Sequence, residues 1–278
     1  MAGSNLSLVE SCHACLNSAD DVNVLVRLGL IGGSGLEELF AGKSLNIETK
    51  YGKISTVIIG EISGQEVAFV PRHGSKHEIP PHRVNYRAII AGLRDLAVDR
   101  IIATNAVGAI NESYHPGDIV IPIDVLDFTK GRVGTFFDSE HVTHIDVTEP
   151  YCSDLRDCLI QSTEGHCRVW KESIMACTEG PRFETPAEIR MLRQLGSDVV
   201  GMTGVPEVFL AREAGLCYAS LSFVSNMAAG IQRQVTQDEV LKIAERTKPI
   251  ISTILLNAAG RIRASKSCRC NPARDSEV

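Results

Sequence analysis

The chain has 278 residues, 44% of them hydrophobic and 22% charged, with a formal net charge of −6. That is enough apolar material for one large core, and the negative balance without a basic run excludes a protein that grips nucleic acid through its phosphates. No apolar stretch reaches the roughly 18 to 20 residues of a membrane span, and the polar, acidic start carries no signal-peptide pattern, so the expected location is the cytosol, with the nucleus open to it.

Residues 1–21 are polar and without a sustained period, as are residues 263–278, and both read as flexible extensions around one domain of residues 22–262. The nine cysteines are odd in number and scattered, which suits reduced thiols better than a disulfide framework. Cys12, His13 and Cys15 form a C-H-x-C, and Cys268 and Cys270 a C-x-C. Each has the spacing of half a zinc or redox site but no spaced partner pair to complete one, so the expectation is exposed thiols on mobile tails.

Between the extensions, runs rich in β-branched residues alternate with helical spacing. Strands are expected at Val24–Ile31, Glu66–Pro71, Arg100–Gly108, Asp118–Leu126, Ser173–Thr178, Asp198–Thr203 and Cys217–Ser225. Helices are expected at Val84–Leu96, Pro186–Leu195, Pro206–Ala214 and Thr236–Leu256. Such alternation argues for an α/β fold around a largely parallel sheet, whose ligands gather where strands end.

The first such end is "GGSG". Gly32, Gly33 and Gly35 permit close backbone approach, and Ser34 adds a hydroxyl at what reads as a helix start, together an anion nest or a plain tight turn. As a dinucleotide fingerprint it fails, since Glu38 stands where the last glycine is required and Lys53 where an acid should hold the ribose. Next, "PRHGSKH" places Arg72 and His73, with His77 the weaker candidate, after a strand; arginine is the preferred bidentate partner of phosphate or carboxylate. "GMTGVPE" puts Thr203 before a helix opened by Pro206 with Glu207 in its first turn, either a second hydroxyl for the same anion or a simple helix-entry threonine. Glu184 in "RFET" and Asn226 in "SNMAAG" offer a carboxylate and an amide rather than an anion grip. A carboxylate suits the N1–H of a 6-oxopurine, and an amide suits its N7 and O6, whereas a 6-aminopurine would set its N1 lone pair against Glu184. The plain alternatives are a solvated Glu and a turn Asn.

Taken together, "IGGSG", "RHG", "NYRA", "NAVGAI", "PGDIVIP", "EGPRFET", "GMTGVPEV" and "ASLSFVSN" are specific, and across residues 24–260 the chain resembles the trimeric purine nucleoside phosphorylase and methylthioadenosine phosphorylase family. The resemblance implies a single-domain α/β phosphorylase fold with a mixed, barrel-like central sheet flanked by helices. It also implies a homotrimer in purine salvage, no metal, no organic cofactor, and inorganic phosphate as co-substrate to a purine nucleoside. By matching motifs it assigns Ser34, Arg72, His73, Asn105, Ala106 and Thr203 to phosphate, Met202 to the ribose, and Asn226, Met227 and Ala228 to the base. His144 matches a residue that a neighbouring subunit contributes near the 5′ end of the sugar. The general pattern lies closer to the methylthioadenosine branch, but it departs where the base is read: Glu184, Asn226 and Ala228 replace that branch's hydroxyl residue and two aspartates. Glu184 with Asn226 restores the pair of the 6-oxopurine enzymes. Expected roles are therefore Arg72 in placing phosphate, Asn226 on the leaving purine and Glu184 orienting Asn226, with inosine and guanosine as substrates. Gln237, at a position that discriminates a 5′-hydroxyl from 5′-methylthio, tilts toward the hydroxyl and leaves methylthioinosine as the second reading, with methylthioadenosine behind it.

Overall fold

The computed structural model describes residues 28–33, 36–39, 42–138, 142–263 and 265–270. Among these residues nine strands form one sheet: β1 Leu28–Gly32, β2 Gly42–Thr49, β3 Gly52–Ile62, β4 Gln65–Pro71, β5 Arg100–Ala109, β6 Ile119–Phe128, β7 Val169–Thr178, β8 Val199–Gly201 and β9 Cys217–Met227. The order is β2-β3-β4-β1-β5-β8-β7-β6-β9, and a further pairing of β9 with β5 closes the last five strands into a barrel. The helices are α1 Tyr86–Asp95, α2 Ser153–Ser162, α3 Pro186–Gln194, α4 Glu207–Glu213 and α5 Gln237–Arg261.

The barrel-like mixed sheet agrees with the family resemblance and corrects the largely parallel sheet read from strand-helix alternation. β1 runs parallel to β4 and β5, and β5 to β9, but β6 is antiparallel to β9 and β8 to β5. The strands β6, β7 and β8 therefore enter the barrel from the opposite end. Because β8 meets only the tip of β5, with Val200 opposite Gly108, its carboxyl end falls back toward the middle of β5 rather than at the rim. That reversal brings the loops after β7 and β8 to the same level as those after β1 and β4.

The four expected helices are present. Residues after Gly33 form only a single 3-10 turn, Leu36–Leu39, in place of the expected helix start, and Ser34 and Gly35 lie outside the described residues. The β2–β3 hairpin and α2 add to the sequence reading. α2 buries only Leu155, Leu159 and Ser162, a stripe too sparse to stand out from its flanks. β5 and β9 are buried almost throughout, and β9 packs against α5, α2 and α4 on the outside of the barrel. Among the described residues no helix is long and apolar enough to cross a membrane.

Candidate active site

A break in the sheet founds the site. β5 pairs with β1 as far as Ala103 and with β8 from Gly108, so among the described residues the edge from Thr104 to Val107 has no strand beside it. Backbone groups of alternate residues face the same edge of a strand. Arg72 Nη1 donates to the Thr104 carbonyl at 2.8 Å, so the Ala106 amide, two residues on, faces the same gap. Gly32 closes one side, where a Cβ would stand 2.9 Å from the Thr104 hydroxyl. The Arg72 backbone N–H binds the Gly32 carbonyl at 2.9 Å, locking the two strand ends together.

Arg72 is 2% exposed and its guanidinium is already paired. Nε and Nη2 donate to the two oxygens of Glu207, the latter at 3.0 Å. Glu207 is fully buried in the first turn of α4 and also accepts from the Tyr218 hydroxyl at 2.8 Å. Burial opposes the charge on Arg72, and the Glu207 carboxylate outweighs it, holding the guanidinium above its usual pKa. Two of the five N–H groups, one on each Nη, remain outside these bonds. The sequence marks Glu207 only as a helix-dipole residue; a lone Glu after Val-Pro carries no mark of a buried partner.

His73 donates Nδ1–H to the Ile79 carbonyl at 2.8 Å, which leaves Nε2 an acceptor, and its ring lies 4.6 Å from that of His77. Burial first, and Arg72 second, push its pKa down to about 4, so the ring is neutral at pH 7. An unfolded histidine takes its proton near pH 6.5. As pH falls from there to about 4 the unfolded chain gains a proton that the folded chain refuses, and stability drops by about 3 kcal/mol from this group. Urea unfolding at pH 7 and pH 4.5 is expected to show a smaller acid loss for His73→Asn than for the parent; equal losses would remove His73 as the cause.

Asn105 is held by serines that interrupt the apolar run of β9. Its Oδ1 accepts from Ser220 Oγ at 3.0 Å and Ser222 Oγ at 2.6 Å, while among the described residues Nδ2 meets only the weak acceptor Met175 Sδ at 3.7 Å. The donor end of the amide is thus the under-used one. Thr203, 6% exposed, follows β8 and lends its carbonyl to the Cys177 thiol at 3.5 Å.

On the β7 side, Glu184 precedes the N-cap of α3. Thr185 accepts from the Glu188 amide, Glu188 reaches back to the Thr185 amide, and Pro186 occupies the first helical position, so the segment carrying Glu184 is fixed by a capping box. Thr178 Oγ1 donates to Glu184 Oε1 at 2.6 Å, and burial raises the carboxyl's pKa. Glu184 and Thr178 line a pocket with Gly180, Phe128 and Met191. Gly180 has a positive φ of 65°, and a Cβ there would strike the Met202 sulfur at 2.7 Å. Asn226, 4% exposed at the end of β9, accepts from Ser225 Oγ at 2.6 Å and donates to the Met227 carbonyl at 2.9 Å. The expectation that Glu184 orients Asn226 is therefore corrected: Ser225 and Met227 hold the amide, and Glu184 is held by Thr178. The Met227 amide is bound in turn by Gln232 Oε1 at 2.8 Å, and Ala228, 2% exposed, donates its N–H to the Ala109 carbonyl at 2.8 Å.

Arg132 joins the two halves. Its guanidinium donates to the carbonyls of Val205 (2.5 Å), Met202 (2.8 Å), Glu179 (2.8 Å) and Thr178 (3.2 Å) and to the Tyr86 hydroxyl (3.0 Å). It thereby ties the loops after β7 and β8 to α1. Sequence reasoning missed it, because "KGRVG" reads as an ordinary polar loop. Arg132→Met is expected to lower stability by about 3 kcal/mol through unmade buried hydrogen bonds, a fall in Tm of about 10 °C. Thermal denaturation checks this; a variant that melts with the parent would make the clamp incidental.

Three expected residues stand apart. Ser34 lies outside the described residues, Gln237 is exposed as the first residue of α5, and His144 is exposed on the long connection between β6 and α2. No hydrogen bond ties His144 or Gln237 to the residues above among those described.

The fold thus offers a ligand two features, the edge gap with the Arg72 guanidinium against it and a pocket lined by half-buried Glu184 and Thr178. Residues 27–259 match the family model described as "Phosphorylase superfamily", and the chain belongs to that family. Among its relatives are the "Probable S-methyl-5'-thioinosine phosphorylase" of Methanopyrus kandleri, 47% identical over 90% of this chain and 98% of the relative, and the "Probable 6-oxopurine nucleoside phosphorylase" of Moorella thermoacetica, 46% identical over 89% and 98%. The solved methylthioadenosine phosphorylase of Schistosoma mansoni in complex with tubercidin superposes with a TM-score of 0.80 at 36% identity, covering 84% of this chain and 90% of that one. The chain is accordingly a pentosyltransferase of the purine nucleoside phosphorylase family.

Proposed function

We propose that this enzyme is a 6-oxopurine nucleoside phosphorylase, converting inosine and guanosine reversibly to free base and ribose 1-phosphate. The observation that carries the reading is the Glu184 carboxyl: Thr178 occupies Oε1, which leaves Oε2 to accept the N1–H that only a 6-oxopurine presents. The Moorella thermoacetica relative bears a name of the same class.

In the proposed reaction phosphate attacks C1′ as the glycosidic bond breaks, and the sugar becomes cation-like between the two. The spare N–H groups of Arg72, the Ala106 amide, Asn105 Nδ2 and the hydroxyls of Thr203 and Ser34 position the phosphate, with neutral His73 Nε2 accepting from its protonated oxygen. Asn226 Nδ2 carries two hydrogens; Met227 takes one, and the other is aimed at N7, where the leaving purine gathers charge. The reaction calls on no metal or organic cofactor. The proposal includes a homotrimer in which exposed His144, beside Val142 at 86% exposure, reaches the sugar of a neighbouring subunit.

The test offers inosine, guanosine, adenosine and the 5′-methylthio forms of inosine and adenosine, each with and without phosphate. Inosine or guanosine is expected to be best, with no base released when phosphate is omitted. Adenosine or methylthioadenosine as best substrate overturns the reading of Glu184. A second reading, S-methyl-5′-thioinosine phosphorylase, is supported by the Methanopyrus relative and keeps the same base site. It prevails if methylthioinosine outruns inosine, since the exposed Gln237 would then not be selecting a hydroxyl.

A further inference from the structure

Far from the pocket, at the opposite end of β9, four cysteines meet. Cys217 opens β9, Cys152 is the N-cap of α2, and Cys268 and Cys270 come from the segment after α5. Their sulfurs all lie within 4.8 Å of one another, with Cys217 Sγ and Cys268 Sγ 3.5 Å apart. The expectation of exposed thiols on a mobile tail is corrected for the C-x-C, since Cys270 is only 5% exposed and residues 265–270 are fastened to the domain. Its missing partners are two single cysteines far apart in sequence, which no local spacing rule finds. Cys12 and Cys15 lie outside the described residues.

We propose that Cys152, Cys217, Cys268 and Cys270 form a structural site for one tetrahedral zinc ion that fastens the C-terminal segment to the barrel. Four thiolates at about 2.3 Å from zinc sit about 3.8 Å from each other, and the sulfurs already lie near that spacing. Tetrahedral S4 sets select zinc or iron–sulfur chemistry; a cage this tight fits a single ion rather than a multinuclear cluster. A disulfide instead requires two sulfurs at about 2.05 Å, and the close pair stands at 3.5 Å.

The scaffold around the sulfurs is built without the ion. Asp154, two residues past Cys152 in the first turn of α2, accepts from the Ser267 amide (2.7 Å), the Ser267 hydroxyl (2.7 Å) and the Cys268 amide (3.1 Å). Arg100, opposite Cys217 in the β5–β9 register, donates to the Arg263 carbonyl at 2.7 Å. Lys266 bonds the Asp99 carbonyl at 3.2 Å and acts electrostatically on Cys217. These contacts turn the C-x-C toward the two barrel cysteines. On binding, each thiol releases its proton to solvent, and the four thiolates around Zn2+ carry a net charge of −2 that Lys266 partly offsets.

The test measures metal in the full-length protein purified under reducing conditions. Elemental analysis is expected to find one zinc per chain, and Co(II) in its place to give thiolate charge-transfer bands and the intense visible absorption of a tetrahedral site. Chelation is expected to lower Tm, with zinc restoring it. C268S/C270S is expected to lose the metal and melt early, while kcat/KM for nucleoside stays within twofold at a temperature where both proteins are folded. The proposal is overturned if the parent holds no zinc and takes up neither zinc nor Co(II), or if its mass is lower by two hydrogens per bridge, the sign of disulfides. It is equally overturned if C268S/C270S keeps its zinc. The metal content and cobalt spectrum of the parent decide the matter even if the variant fails to fold.

Discussion

Replacing Glu207 with glutamine is expected to lower folding stability by about 3–5 kcal/mol, the usual cost of leaving one member of a buried ion pair without its partner. Under the proposed mechanism activity is expected to fall by roughly 100-fold, because the guanidinium proposed to place phosphate loses the fork that aims it. Arg72 is 2% exposed and Glu207 fully buried, so solvent cannot replace either partner. A glutamine amide keeps one acceptor but turns an N–H toward Arg72, breaking a two-point contact that Tyr218 shares. Equilibrium urea unfolding and phosphate-dependent kinetics test the two halves separately. The combination Arg72→Met, Glu207→Leu, Tyr218→Phe removes every member of the network and is expected to recover most of the stability with no activity. A Glu207→Gln protein that unfolds at the parent's urea midpoint would mean that the pair does not support the fold, and one with the parent's phosphate-dependent kinetics would mean that it does not aim Arg72.

The same network shows where the sequence was legible and where it was not. Arg72 stood out because a strand end, a glycine and two histidines surround it; its partner Glu207 lies far along the chain in α4, and a pairing across that distance leaves no periodicity. Strands β4, β5, β7 and β9 announced themselves as largely apolar, β-branched runs, as strands with both faces covered do. Their directions did not, because alternation of strands and helices says nothing about a short strand such as β8, whose three residues reverse the sense of the barrel wall. The gap at Thr104–Val107 follows from that reversal and was out of reach of any local pattern. Arg132 and the four-cysteine cluster were hidden for the same reason: each collects groups that only tertiary structure brings together.

Asn226→Ala is expected to lower kcat on inosine by about 100- to 1000-fold, the typical cost of deleting one preorganised donor at a site of developing charge. The fold should tolerate the change, since Ser225 Oγ, which now donates to Asn226 at 2.6 Å, also stands 3.2 Å from the Val107 carbonyl and can turn to it. Circular dichroism and a Tm near the parent's would separate lost chemistry from lost structure. Asn226→Asp asks a sharper question. The Met227 carbonyl, 2.9 Å from Nδ2, would face an oxygen in place of a donor, so a carboxylate there must take up a proton or rotate toward the base. Rotated, it presents an acceptor where a 6-aminopurine has N–H groups and a 6-oxopurine has lone pairs. The ratio of kcat/KM for adenosine over inosine is therefore expected to rise by about 100-fold or more, as befits a buried site that rejects a mismatched hydrogen-bond pattern. A ratio left unchanged, in a protein that still folds and turns over inosine, would mean that Asn226 does not read the base and would leave Glu184 as the sole discriminator.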